Sequence, residues 1–286
     1  MVMLEVLESR DARVGEMRVR RALPNRGRRT VGAWCFADHM GPLQATGEIG
    51  ADIGPHPHIG LQTVTWLVAG EMLHRDSLGS EQLIRAGQLN LMTAGHGVAH
   101  AEQSTGYFRG TLHGIQLWVA QPEATRHGPP AFEHHALLPA IELEGATATV
   151  VVGEFAGVIS PARRDTDHMG VELALHGGRT DLPLRRDFEH AFMVLEGAAM
   201  LDGATVTPGH LAYLGDRRDE ITLETAAPAT ILVLGGTPMT ETLHMWWNFV
   251  ARTPAEIDAA RSSWNTHDGR FGDVSSPLPW IPAPAG

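Results

Sequence analysis

The chain has 286 residues, a formal charge of −11 from 22 basic and 33 acidic side chains, 16 histidines and one cysteine. All 22 Lys/Arg positions are arginine, which excludes the lysine of a P-loop or a Schiff base, and the single Cys35 excludes intrachain disulfides, zinc ribbons and thiolate-held clusters. An acidic chain suits neither nucleic acid nor an anionic membrane, no run of about 18 apolar residues is present, and the N-terminus does not read as a signal peptide. The expectation is a soluble, cytoplasmic monomer with no direct nucleic-acid contact and no membrane contact.

In chain order, the arginines at 18, 20, 21, 26, 28 and 29 read as a solvated surface, Cys35 between Trp34 and Phe36 as an apolar filler, and Asp38-His39 as a turn or the mouth of a pocket. Short stretches with β-branched or aromatic alternation then recur between glycine turns: Leu61–Ala69, Gln88–Thr93, Gly114–Val119, Ala148–Val152, Ala191–Leu195 and Thr230–Leu234. Such spacing predicts an all-β barrel or sandwich. His134-His135 beside a proline-rich loop reads as linker, and Trp246-Trp247 as an anchor for the C-terminal segment. One helix is predicted from Pro254 to Arg261, with Thr253 as N-cap and Glu256 completing a capping box. The tail from Phe271 reads as extended.

Two histidine pairs carry chemistry. His56 and His58 are two apart, so on a strand both imidazoles face one side. His100 and Glu102 repeat that spacing further on. If the two strands are neighbours, three imidazoles and a carboxylate meet at one point, a donor set for Fe, Mn, Ni, Cu, Co or Zn with open positions for water, O2 or a chelating ligand. Neutral imidazoles are required, so metal release is expected below about pH 6. Gln62 shares the parity of His56 and His58 and is a candidate for hydrogen bonding behind the ligands; His74, His96, His113 and His244 are candidates for the same role or for lining a channel, with a satisfied surface or core histidine as the plainer reading of each.

The run from Pro55-His56-Pro57-His58 through Gly95-His96-Gly97-Val98-Ala99-His100-Ala101-Glu102 resembles the pirin family, within the cupin superfamily. The likeness extends to Phe36–Pro42, to His113–Trp118 and, less tightly, to Phe249–Ile257. It implies a bicupin: two antiparallel β-barrel (jelly-roll) domains packed face to face with a short C-terminal helix. The domains are expected at 1–135, holding the metal, and 136–286, a degenerate barrel without metal. The resemblance implies His56, His58, His100 and Glu102 as ligands of a single metal, Fe(II) foremost. It also implies cleavage of an aromatic, flavonol-like small molecule such as quercetin with O2, with Glu102 as the catalytic base. Other pirins are regulators, so the alternative is a non-catalytic, iron- or redox-sensing protein whose partner is a transcription factor or a metabolic enzyme.

A weak internal repeat aligns Gln62…Gly70 with Glu189…Gly197 and Gly97 with Gly209. On that alignment Pro183, Arg185 and Ala212 stand where His56, His58 and His100 do, which predicts no metal in the second half.

Overall fold

The computed structural model describes residues 4–46 and 52–285. It is built of strands with one helix, as the alternation predicts. Two compact units divide the chain, and neither is contiguous. The first comprises Met1–Ala12, Arg20–His39 and Leu137–Met239; the second comprises Arg13–Val19, Met40–Ala136 and Thr240–Gly286. A simple cut after residue 135 therefore misses an exchange at both ends. The strand Glu5–Glu8 pairs along His210–Gly215 and covers an edge of the first unit's sheet. The helix Pro254–Thr266 buries Ile257, Ala260 and Trp264 with Ile59, Ala99 and Phe249 of the second.

The second unit is built on two antiparallel sheets. One runs in the order Ala131–His135, Leu89–Thr93, Leu61–Ala69, Gly110–Ala120, Trp34–Ala45, Met17–Leu23 and Arg10–Val14; of the last three strands only Met40–Ala45, Met17–Val19 and Arg13–Val14 fall in this unit, the rest in the first. The other has four strands in the order Ile53–His58, Val98–Gln103, Glu71–Asp76 and Glu81–Arg85. The first unit repeats the plan. Its larger sheet runs Glu5–Glu8, His210–Gly215, Glu189–Glu196, Ala229–Gly236, His168–Leu175, Ala146–Val152 and Ala140–Leu143; its smaller one runs Gly178–Pro183, Glu220–Thr225, Ala199–Leu201 and Ala204–Val206. These are jelly-roll sheets rather than closed barrels.

This shared order corrects the glycine alignment. Gly209 leads into His210–Gly215, whose place beside Glu189–Glu196 is that of Leu89–Thr93 beside Leu61–Ala69. Ala212 therefore does not correspond to His100. The strand pair equivalent to Ile53–His58 and Val98–Gln103 is Gly178–Pro183 with Glu220–Thr225. Its buried positions are Thr180, Leu182, Ile221, Leu223 and Thr225, and the three apolar ones join the core with Phe188, Phe192 and Val233. Pro183 closes its strand facing outward, and Arg185 lies beyond it, ion-paired to Asp187 and Asp167.

The helix begins as predicted. Thr253 accepts from the Glu256 amide, and the Glu256 carboxylate accepts from the Thr253 amide. It runs past Arg261 to Thr266, where His267 in a left-handed conformation stops it. The tail beyond Phe271 carries no strand or helix and packs back: Trp280 stacks on Trp264, and the Ile281 amide donates to Pro55 O. His134 and His135 are not linker. They end a strand on the sheet edge, where His134 Nδ1 is 2.8 Å from Asn90 Oδ1. Cys35 is buried, and Asp38 is buried against Arg21.

Candidate metal centre

Ile53–His58 is an edge strand, which is where Pro55 and Pro57, lacking amide hydrogens, are tolerated. Among the described residues, its neighbour in the four-stranded sheet is Val98–Gln103, in a register that sets His56 opposite His100 and His58 opposite Val98. The strand adjacency that the site needs is therefore present. His56, His58 and His100 are buried, and each brings a ligand atom within 4.8 Å of the others. Ring centroids lie 4.3 Å apart for His56–His100, 5.0 Å for His58–His100 and 5.1 Å for His56–His58.

The outer nitrogens decide how these rings point. His56 Nδ1 donates to Gly54 O at 2.9 Å and His58 Nδ1 to Asn248 O at 3.0 Å. A carbonyl only accepts, so both rings carry their proton on Nδ1 and leave the Nε2 lone pair facing inward. His58 Nε2 lies 3.1 Å from His100 Nε2. Two nitrogens bound to one ion at about 2.1 Å and at right angles lie about 3.0 Å apart. Lone pairs at that separation repel unless a cation or a proton stands between them, so the donor set fits a metal ion. Burial keeps the rings neutral: it lowers His56 to about 4, and it lowers His58 and His100 well below the ordinary histidine value, helped by neighbouring imidazoles.

Glu102 stands apart from the tight cluster. Between His100 and Glu102 the register slips, so that Glu102 pairs with Ile53 instead of the residue two before His56. Among the described residues, the three imidazoles alone reach within 4.8 Å of one another. The Glu102 side chain is buried, and burial alone raises its carboxyl to about 7. Trp118 meets His58 edge-on at 5.2 Å. Gln62 bonds Thr93 Oγ1 at 3.0 Å and makes no hydrogen bond to the imidazoles, so the role suggested by its parity is not seen.

His74, a candidate on sequence, lies directly behind His100, with Nδ1 3.4 Å from His100 Nδ1. Asp76 was not legible as part of the site, yet its Oδ2 lies 3.0 Å from His74 Nε2. The signal was available: His74 and Asp76 are themselves two apart on a strand. His96 is exposed, His113 is buried in Gly110–Ala120, and His244 lies on the hairpin His244–Ala251.

A buried three-imidazole cluster on adjacent antiparallel strands of a jelly roll defines a cupin with a candidate metal centre. The Pirin family model matches residues 16–119 and the Pirin C-terminal cupin domain matches residues 170–272. The chain belongs to the pirin family. It is 44% identical, over 97% of its length and 91% of the relative's, to a Pseudomonas aeruginosa protein provisionally named quercetin 2,3-dioxygenase. A pirin-like protein of Caulobacter vibrioides is 33% identical over 96% of this chain and 98% of its own. The crystal structure of a quercetin 2,3-dioxygenase from Acinetobacter baumannii superposes with a TM-score of 0.96 at 41% identity, covering 99% of this chain and 95% of that one.

Proposed function

We propose that this pirin is an iron-dependent dioxygenase that opens flavonols such as quercetin with O2. The observation that carries the reading is the division of labour at the centre. Three neutral imidazoles converge as donors, while a buried carboxyl poised near neutrality sits beside them but outside their cluster. His56, His58 and His100 would hold the ion, and Glu102 is placed to join them or to act as a base.

A flavonol presents a chelating pair, its 3-hydroxyl and 4-carbonyl oxygens, and the bound ion would acidify the hydroxyl and couple the ring electronically to O2. Glu102 accepts the 3-hydroxyl proton. A base near pH 7 holds that proton loosely enough to return it. Both oxygen atoms enter the product, the two ring bonds to the hydroxyl-bearing carbon break, and that carbon leaves as carbon monoxide. Trp118 beside His58 supplies a flat apolar wall for an aromatic substrate.

The test is O2 uptake and carbon monoxide release with quercetin by protein reconstituted separately with Fe, Mn, Ni, Cu, Co or Zn. Iron is expected to support turnover, and Glu102→Ala to bind flavonol while turning over slowly. No turnover with any of the six metals would overturn the assignment.

A further inference from the structure

The three imidazoles of the centre are not held alike. Two hand their Nδ1 protons to main-chain carbonyls, which can only accept. The third, His100, faces another imidazole, and an imidazole nitrogen can either accept or donate. Nothing in the His100–His74 contact alone decides which nitrogen of His100 keeps the proton, and so whether its Nε2 is a lone pair or an N–H.

The structure places that decision one residue further out. Val98–Gln103 lies between Ile53–His58 and Glu71–Asp76, in a register that pairs His100 with His56 on one side and with Asp76 on the other, and Glu102 with His74. His74 is held flat by Phe132, stacked at 4.4 Å with 13° between the planes. Its Nε2 meets Asp76 Oδ2 at 3.0 Å, while Asp76 Oδ1 accepts the Leu78 and Ser80 amides, both at 2.9 Å. The Asp76 side chain is fully buried, and each of its oxygens faces a donor. Asp76 is therefore an acceptor, and His74 must carry its proton on Nε2. With His74 neutral, its Nδ1 lone pair at 3.4 Å competes with the His58 Nε2 lone pair at 3.1 Å for the one His100 proton, and the carboxylate behind His74 makes Nδ1 of His74 the stronger acceptor.

We propose that Asp76 and His74 are positioning residues that fix His100 as its Nδ1–H tautomer and direct its Nε2 lone pair into the metal centre. The chain reads Asp76 to His74 to His100, with each hydrogen bond setting the direction of the next. Because it ends on a carboxylate rather than a carbonyl, His100 is the most electron-rich of the three donors. The consequence for affinity rests on the metal reading above; the tautomer itself does not.

Two readouts separate these. In metal-free, 15N-labelled protein, long-range proton–nitrogen correlation reports which ring nitrogen of each histidine is protonated. Wild type is expected to show His100 protonated on Nδ1. In Asp76→Asn the amide can donate to His74 Nε2 and reverse the chain, so the His100 proton moves to Nε2. Asp76→Asn and His74→Phe, the second of which keeps a ring stacked on Phe132, are expected to weaken anaerobic Fe(II) binding in chelator competition by about 10- to 100-fold. A wild-type His100 protonated on Nε2, or an unchanged His100 tautomer in Asp76→Asn, overturns the proposal. Wild-type protein that binds no Fe(II) overturns the metal reading, while the tautomer measurement still decides this one.

Discussion

His58 and His100 direct their Nε2 atoms at each other across 3.1 Å, close enough that a shared cation relieves a repulsion between lone pairs. Metal should therefore stabilise the fold and not merely decorate it. An ion at about 100 times its Kd contributes about 2.7 kcal/mol, which corresponds to roughly 5–10 °C in Tm for a unit of this size. Wild type is expected to show that gain by calorimetry, and His100→Ala to show none. An equal gain in His100→Ala would place the ion elsewhere.

Protons compete with metal for the same nitrogens. A free histidine would begin to release metal below about pH 6. Here burial lowers His56 to about 4 and lowers His58 and His100 in the same direction. The rings stay neutral over a wider range, so release is expected nearer pH 4 than pH 6. Metal content after dialysis at stepped pH checks this; half-occupancy at pH 6 would contradict it.

Glu102 titrates the opposite way. Its folded value of about 7 lies above the ordinary 4.5, so the metal-free fold holds this proton more tightly than the unfolded chain does. Its contribution is fully present below pH 4.5 and is lost as pH rises through 7, by roughly 3 kcal/mol. Glu102→Gln removes the titration. Metal-free Glu102→Gln should therefore melt above wild type at pH 8, and the two should converge at pH 5. Loss of stability at pH 8 would mean that the carboxylate has a partner the geometry does not show.

Much of this site was legible in the sequence because strand parity is local. His56 with His58, and His100 with Glu102, each report a shared face before any fold is known. Glu102 lies outside the three-imidazole cluster; a register slip separates it from His100, and a slip leaves no mark on spacing. Asp76 obeys the same parity rule as the ligands. Its meaning depends on which strand lies beside Val98–Gln103, a long-range pairing that periodicity does not encode. The repeat misled for a related reason. Gly97 and Gly209 both precede strands, but strands at different places in the sheet order, and only the topology tells them apart. The exchange of chain ends was equally hidden, since Glu5–Glu8 and the helix read the same whichever core they cover.

The C-terminal hairpin reaches the centre through main chain. Asn248 O orients His58, and Val250 N donates to Ile59 O beside it. Gly60 makes the close approach possible: it has φ +65°, and a Cβ there would lie 2.2 Å from Val250 O. Gly60→Ala must therefore push the hairpin away and free the His58 ring, at a cost on the order of 10-fold or more in metal affinity. Asn248→Ala keeps the carbonyl and should bind metal as wild type does. Chelator competition on the pair distinguishes a backbone role from a side-chain role; equal losses would point to the Asn248 amide instead.

The other unit carries its own acid-sensitive group. His190 is buried beside Phe188 and Met169, close against Gly235, with neither ring nitrogen hydrogen-bonded. Burial lowers it to about 4, and His168 likewise. A folded value below the unfolded 6.5 means that the unfolded chain takes up protons first. The stability associated with each ring is intact above pH 6.5 and drains away as pH falls towards 4, amounting at pH 5 to roughly 2 kcal/mol per ring. His190→Phe removes one such drain and also the unpaired nitrogens. Acid unfolding of the variant should begin at lower pH than in wild type, while stability at pH 8 changes far less. Trp34 makes the measurement specific to this unit, since it belongs to the Arg20–His39 segment and meets His168 edge-on at 5.0 Å. Fluorine NMR of fluorotryptophan-labelled protein follows its resonance apart from the other tryptophans. An unchanged acid midpoint at Trp34 in His190→Phe would show that His190 is not a source of the acid lability.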